Sequence, residues 1–312
     1  MTVRPSPDGS RGGTGSPRIG AVVLPEHSWP RTRRIWTELE ELGLSHAWTY
    51  DHLSWRTLRD GPWHDALTTL TAVAAVTSRM ELGTLVSSPN FRHPVPLAKQ
   101  VMTLDHVSGG RFVLGIGAGA AGADATVLGE PDPDAAVRAD RFAEFVELSD
   151  LLLSRPATSF RGRFYTAQDA RMLPGCVRRP RVPFAIAAAG PRGFRLAARH
   201  ARYWVTIGDT GQPGDRCEAD SWRLLDRQLT RLAEACEEER RDPAELGRLV
   251  NVSRVVADPY ASPARFVDVV GRCRDLGFTD VVVNHPREEG VFRGDPGAFE
   301  KAVQAVLAAF GG

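Results

Sequence analysis

The fold is decided by the stretch LGTLVSSPNFRHPVPLAKQVMTLDHVSGGRFVLGIGAGAAG, residues 82–122. Two apolar runs flank an amphipathic helix pattern, and the second run leads into a loop of glycine and alanine. Two buried strands joined by one helix form a βαβ unit, from which parallel sheets are built. The glycines Gly115, Gly117, Gly119 and Gly122 allow a flat group to approach the backbone closely, although a tight turn would use the same residues.

The same alternation of strand and helix continues along the chain. The predicted strands are Ile19–Leu24, Ala47–Tyr50, Leu82–Ser87, Phe112–Ile116, Phe184–Ala189, Trp204–Ile207, Val250–Ala257 and Asp280–Asn284. The predicted helices are Trp29–Leu42, Asp65–Ser78, Val95–His106, Asp134–Leu153, Gly193–Ala201, Asp220–Arg240, Pro263–Leu276 and Pro296–Phe310. This pattern predicts the α/β class and a single (β/α)8 barrel domain over residues 18–312, with an irregular insertion at Ser154–Arg181. An open, doubly wound sheet is the alternative.

Composition narrows the class of protein. Of the 312 residues, 42% are hydrophobic and 25% are charged, which is ordinary for a globular enzyme. A net charge of +1 argues against nucleic acid or an anionic membrane as partner. Residues 1–17, rich in Gly, Pro and Ser, are expected to be a disordered tail without the apolar stretch of a signal peptide. The scattered cysteines lack metal-ligand spacing, so we expect free thiols, no metal, and a cytoplasmic protein.

The active site of such a barrel lies at the C-terminal ends of its strands. Four predicted strands lead into Asp51–His52, Ser87–Ser88, Gly117–Gly119 and Ala188–Gly190. A histidine at this face suits general acid–base chemistry, so His52 is the candidate catalytic residue; a histidine that only bonds the strand end is the alternative.

The segment Gly190–Gly193 predicts an anion site. Pro191 occupies a favourable first helical position, and Arg192 stands beside the exposed amides of the helix N-terminus. A phosphate is the simplest ligand, whereas a helix start with a solvated Arg192 is the alternative. His106 falls in the turn at the opposite end of the barrel and is expected to be structural.

Four motifs carry a resemblance that spans Arg18 to Phe310. They are YDHL at residues 50–53, LGTLVSS at 82–88, HPVPLAKQVMTLDHVSGGRFVLGIGAG at 93–119 and AAAGPRGFRLAARHA at 187–201. Together they resemble the luciferase-like monooxygenase family, and the third is specific to it. The resemblance implies a homodimeric oxidoreductase that holds FMN or coenzyme F420 at the barrel mouth and acts on a small-molecule substrate.

The resemblance also assigns roles to residues. A bulge with a cis peptide at Leu85–Val86 would press against the redox ring, Ala188–Gly190 would bind the phosphate, and His52 would face the ring. The residues expected to bind the cofactor are Asp51, Leu85, Val86, Ser87, Ser88, Gly117, Gly119, Ala188, Ala189, Gly190, Pro191, Arg192 and Thr206.

One position departs from the family. Its sugar-phosphate dehydrogenases place an acidic proton donor just past the glycines, where this chain has Ala120 and Ala121, with Asp124 the one acid nearby. We therefore expect a different substrate. F420 is favoured over FMN because arginines such as Arg92 and Arg161 suit its polar tail. An FMN-dependent monooxygenase or reductase and a non-catalytic flavin-binding barrel remain the alternatives.

The predicted helix at Ala66–Val76 is apolar on more than one face and rich in small residues. Such a helix is usually buried in a core or against a partner subunit. Together with the resemblance this predicts a homodimer. Light scattering at working concentration should give twice the chain mass of 34.0 kDa; a monomer mass would contradict the prediction.

Overall fold

Eight parallel strands close into a barrel in the computed structural model, which describes residues 15–209 and 217–310. In chain order the strands are β1 (Arg18–Val22), β2 (His46–Thr49), β3 (Glu81–Thr84), β4 (Phe112–Gly117), β5 (Ala157–Arg161), β6 (Thr166–Arg171), β7 (Phe184–Ala187), β8 (Tyr203–Thr206), β9 (Gly247–Asn251) and β10 (Asp280–Asn284). The barrel order is β1–β2–β3–β4–β7–β8–β9–β10, with β10 paired to β1. The predicted (β/α)8 barrel is confirmed, and the open sheet is excluded.

Helices cover the outside of the barrel. They are α1 (Trp29–Glu41), α2 (Ala66–Ala74), α3 (Pro94–Ser108), α4 (Ala123–Thr126), α5 (Ala135–Ser154), α6 (Pro191–His200), α7 (Glu218–Glu238), α8 (Pro263–Asp275) and α9 (Pro296–Phe310). Local sequence explains where several begin: the side chains of Asp65, Asp134 and Ser262 accept hydrogen bonds from backbone amides of the first turns of α2, α5 and α8. The short helix α4 was not predicted.

The predicted end of the seventh barrel strand is wrong. The seventh barrel strand was expected over Val250–Ala257, but β9 ends at Asn251 and the chain turns into a 3-10 helix. The Asn251 side chain accepts a hydrogen bond from the Ser253 amide (3.1 Å), a local bond that favours a turn over a strand.

The insertion is more regular than predicted, since β5 and β6 form an antiparallel hairpin. The Glu144 carboxylate of α5 accepts hydrogen bonds from the amides of Arg163, Phe164 and Tyr165, at 2.6 to 2.9 Å. These bonds hold the hairpin turn against the barrel. The order of this segment therefore comes from a tertiary contact that strand periodicity does not reveal.

The barrel interior is packed with side chains. Val22, Trp48, Val113 and Val282 are among the residues buried inside it. Trp48 fits because a Cβ on Gly83 would lie 2.3 Å from its indole ring, so only glycine leaves the room. A filled interior means that any ligand must bind above it, at one end of the barrel.

A cluster of charged groups closes the N-terminal end. Arg18 donates to Glu81 (2.6 Å) and to the Tyr203 hydroxyl (2.8 Å), and it lies 3.4 Å from Asp280. Asp280 is also 3.2 Å from His46 Nε2. Burial raises the pKa of both carboxyl groups, but Arg18 and the other cations and donors hold each pKa below its ordinary value. With its charges paired, this end is structural.

Packing within a single chain explains the apolar residues of α2. Leu67, Leu70 and Val73 are buried, whereas Thr68 and Ala75 are exposed. The apolar pattern therefore reports packing on the barrel, and the homodimer remains a prediction from the resemblance.

Several other predictions can be compared with the structure. No helix among the described residues is long and apolar enough to cross a bilayer. The four cysteines are unpaired. Nε2 of His106 lies 2.8 Å from the Gly175 carbonyl oxygen, a contact with the insertion. The predicted tail lies outside the described residues except for its last three.

Replacing Arg18 by Met should lower the free energy of unfolding by about 3–5 kcal/mol at neutral pH, because two buried carboxylates lose their cation. Stability from carboxyl groups with a lowered pKa is lost as the pH falls through that pKa. The gap between wild type and variant should therefore shrink toward acid pH. Urea unfolding measures it, with exposed Arg34→Met as control (69% exposed), expected to cost about 0–1 kcal/mol. A neutral-pH loss no larger than the control's would contradict this.

Candidate functional site

The predicted site segments meet at one end of the barrel. Asp51–His52, Ser87–Ser88, Gly117–Gly119 and Ala188–Gly190 follow β2, β3, β4 and β7, which are adjacent and parallel. Because the C-terminal ends of these strands share one rim, the structure brings the four groups together.

A bulge lies at the end of β3. Gly83 pairs with Val113, but the next bridge joins Ser87 to Ile116, so the β3 side carries one extra residue. The Leu85–Val86 peptide bond is cis, as the resemblance implied.

Glycines of β4 make room for this bulge. A Cβ on Gly115 would lie 1.7 Å from the Thr84 carbonyl oxygen, and one on Gly117 would lie 2.8 Å from Cγ2 of Val86. The Thr84 hydroxyl donates to the Gly115 carbonyl oxygen (2.8 Å) and fastens the two strands. The result is a backbone ledge bordered by the Val86 side chain.

The loop after β4 is held by Asn90. Gly119 has a φ of +78°, and a Cβ there would lie 2.7 Å from the Asn90 side chain. The Asn90 amide donates to the Ala120 carbonyl oxygen (2.9 Å), and Arg141 donates to Asn90 (2.8 Å). Asn90 and Arg141 were not predicted as site residues, because nothing in their spacing indicates the contact.

The candidate phosphate site is the start of α6. Gly190 is its N-cap and has no side chain with which to cap the helix. A Cβ on Gly190 would meet no heavy atom within 4 Å, so the space in front of the turn is open. Arg192 is 61% exposed and pairs with Asp140 (2.8 Å). The backbone amides and the helix dipole are therefore the anion-binding features of this turn, and Arg192 is a partly neutralised neighbour.

Three predicted cofactor residues, Asp51, Ser87 and Thr206, form hydrogen bonds within the protein itself. Asp51 is 1% exposed and accepts hydrogen bonds from Ser87 (2.5 Å) and from Arg92 in a bidentate pair (2.6 and 3.0 Å). The Thr206 hydroxyl donates to Gln228 (2.7 Å) and accepts from the Gly208 amide (2.9 Å). Their contacts tie the rim together, and their binding of a cofactor remains a prediction.

His52 stands on the rim with a carboxylate behind it. Its Nδ1 lies 2.5 Å from Oδ2 of Asp124, and its backbone carbonyl oxygen accepts a hydrogen bond from Trp63 Nε1 (2.8 Å). The Asp124 side chain also accepts from the amides of Leu53 (3.0 Å) and Ser54 (3.2 Å). The sequence indicated Asp124 only as an acid near the glycine loop; its partner is 72 residues away.

Beside His52 lies what we call the aromatic wall, formed by Tyr50, Trp55, Trp63 and Phe292. Trp55 stacks between Trp63 (centroids 6.2 Å apart) and Phe292 (6.1 Å), and Tyr50 packs on it at 5.2 Å. The wall was missed from the sequence because Phe292 comes from the loop after β10, whereas Tyr50, Trp55 and Trp63 lie in the loop after β2, where no regular spacing marks them.

Tyr50 presents a neutral phenol at the base of the wall. Its hydroxyl accepts a hydrogen bond from Asn284 (3.4 Å). Burial raises the pKa of Tyr50 above its ordinary value, although Asn284 and the charges of Arg254 and Arg56 oppose the rise. The phenol therefore stays protonated at neutral pH.

A cavity of about 810 Å³ adjoins the wall. Phe292 belongs to both, and the rest of the lining comes from the segments that follow β9 and β10. The mouth thus combines a backbone ledge, an open helix N-terminus, the His52 side chain and an apolar wall next to free space.

Known proteins share this arrangement of strands. The luciferase-like monooxygenase family matches residues 6–262. The F420-dependent glucose-6-phosphate dehydrogenase of Beutenbergia cavernae is 32% identical and aligns with 93% of this chain and 80% of its own. The F420-dependent hydroxymycolic acid dehydrogenase of Mycobacterium tuberculosis is 27% identical, over 96% and 86%. A solved F420-dependent secondary alcohol dehydrogenase, in complex with an F420–acetone adduct, superposes with a TM-score of 0.77 at 18% identity, over 95% of this chain and 99% of that one.

The extent of the family match, over more than half of the chain, agrees with the motifs that carried the resemblance. The cis peptide at Leu85–Val86 is the one that the resemblance implied. This protein therefore belongs to the luciferase-like monooxygenase family.

Proposed function

We propose that this protein is an oxidoreductase that transfers a hydride between coenzyme F420 and a small organic substrate. The observation that carries the proposal is the Leu85–Val86 ledge, for which the glycines of β4 leave room, on the same rim as His52. The relatives that align with most of the chain are F420-dependent dehydrogenases, which supports F420 over FMN.

Each part of the mouth then has a role. When bound, the deazaflavin ring supplies a two-electron hydride acceptor or donor. The ledge supports one face of the ring, and the backbone from Ala188 to Gly193 binds the phosphate through the N-terminus of α6. His52 takes the hydroxyl proton of the substrate during oxidation and returns it during reduction.

The substrate that fits best is uncharged and has an apolar body. The aromatic wall offers it stacking surface, and Leu53, Val127 and Leu128 add exposed apolar side chains near the rim (43 to 63% exposed). The lysines offer no phosphate site here: Lys99 is bonded to the Arg171 carbonyl oxygen (2.6 Å) and Lys301 lies on α9. With Ala120 in place of an acid, this argues against a sugar phosphate.

Cofactor choice is tested by titrating the purified protein with F420 and with FMN and following the fluorescence of each. F420 should bind more tightly, and the protein should reduce it in the presence of a secondary alcohol with an apolar body. Tighter binding of FMN would overturn the proposal in favour of a flavin enzyme, and binding of neither would leave a barrel without this function.

The phosphate turn is tested by Gly190→Ala. The new methyl meets no protein atom within 4 Å, so the fold should lose at most about 1 kcal/mol of helix capping. It projects into the space assigned to the phosphate, so the Kd for F420 should rise roughly tenfold, or about 1.4 kcal/mol. The matched control is Gly271→Ala on α8, where a Cβ makes an ordinary 3.7 Å contact far from the mouth. An unchanged Kd in Gly190→Ala would place the phosphate elsewhere.

A further inference from the structure

We infer that Asp124 is a positioning residue: it fixes the proton of His52 on Nδ1 and so leaves Nε2 as the proton carrier of the site. This rests on the proposed hydride transfer. It identifies which group handles the proton in a chain that has alanine where the family's sugar-phosphate dehydrogenases have an acid.

The contact determines the tautomer. An ionised carboxylate can only accept hydrogen bonds, so at 2.5 Å from Asp124 Oδ2 the Nδ1 atom must carry the hydrogen. The neutral ring then has a lone pair on Nε2.

Asp124 itself is held firmly. Its Oδ1 accepts from the amides of Leu53 and Ser54, so the carboxylate makes three bonds to the segment that follows β2. Only 8% of Asp124 is exposed. It therefore cannot reach a substrate in the mouth, but it can orient the ring that does.

The free nitrogen of His52 is placed for chemistry. Within residues 15–209 and 217–310, no protein group forms a hydrogen bond with Nε2. The side chain is 32% exposed, and its ring lies 6.2 to 6.5 Å from those of Tyr50, Trp55 and Trp63. Nε2 is thus available to a substrate hydroxyl beside the aromatic wall.

The other carboxylates at the mouth are already paired. Asp51 is bonded to Ser87 and Arg92, and Glu26 forms a bidentate pair with Arg287 (2.6 and 2.8 Å). Asp124 comes four residues after Ala120, about one helical turn, and its contact is with the histidine. The pair of His52 and Asp124 therefore handles the proton of the reaction.

The proton and electron balance is complete. In alcohol oxidation the C–H bond breaks and its two electrons leave with the hydride to oxidised F420, while the O–H proton moves to Nε2 and the C=O bond forms. Asp124 offsets the positive charge of the imidazolium, which then loses its proton to water. In the reverse direction Nε2 donates that proton to the carbonyl oxygen.

The test is Asp124→Asn. The amide NH2 donates to Nδ1, which forces the hydrogen onto Nε2 and removes its lone pair. We expect kcat for alcohol oxidation to fall by roughly 10²–10⁴-fold while the Kd for F420 stays within about twofold. In the cofactor-free protein, the 15N shifts of His52, assigned by difference from His52→Ala, should change from the Nδ1–H to the Nε2–H pattern. The double variant Asp124→Asn/His52→Ala should have the same kcat as His52→Ala alone or a higher one, because Asp124 acts only through the His52 ring.

Asp132→Asn is the matched control. Asp132 also binds the glycine loop, through the Gly122 amide (3.1 Å), but its bonds within the described residues do not include His52, so this variant should leave kcat and the tautomer unchanged. An unaltered tautomer or kcat in Asp124→Asn overturns the inference. Failure of the wild type to bind F420 overturns the proposed function instead, and the NMR result is independent of that failure.

Discussion

The close approach of β3 to β4 is the constraint on which the mouth of the barrel depends. A side chain on Gly115 would occupy the position of the Thr84 carbonyl oxygen, so the extra residue of the bulge fits only against bare backbone. The bulge in turn sets the direction of the chain at Ser87, whose hydroxyl reaches Asp51. Through Arg92, the same carboxylate ties β2 and β3 to the start of α2. One pair of glycine-lined strands thus aligns the ledge with the loop that carries His52.

The two ends of the barrel use polar groups differently. At the N-terminal end, Arg18 forms ion pairs with Glu81 and Asp280, and these pairs offset the cost of burying the charges. At the C-terminal end, the bonds of Asp51 and Thr206 serve the same structural purpose, but the space in front of Gly190 is open and Nε2 of His52 has no hydrogen-bond partner among the described residues. Unpaired polar groups are tolerable there because the mouth is open to water. Stability and chemistry are therefore separated along the barrel axis.

The alternation of strands and helices was readable from the sequence because each βαβ unit buries its residues with a local period. The rule that places barrel sites at strand ends predicted which segments meet at one rim, and the choice of His52 as candidate catalytic residue rests on its position there. The pairing of Asp124 with His52 was not readable, since those residues are distant in the chain and lie on different loops. The same holds for the stacking of Trp55 on Phe292, which lies in the loop after β10. The hairpin of the insertion escaped prediction because Glu144, on another element, bonds its turn amides.

A barrel whose loops arise from separate strands can change its chemistry by moving one side chain. An acid at position 120 belongs to the glycine loop itself, whereas one at position 124 lies in the short helix α4. From there the Asp124 carboxylate reaches the amides of Leu53 and Ser54 as well as the histidine, so it also clamps the loop after β4 to the loop after β2. The apolar residues that follow, Val127 and Leu128, are then presented near the rim. One loop thus carries both the carboxylate that bonds His52 and the apolar side chains near the rim.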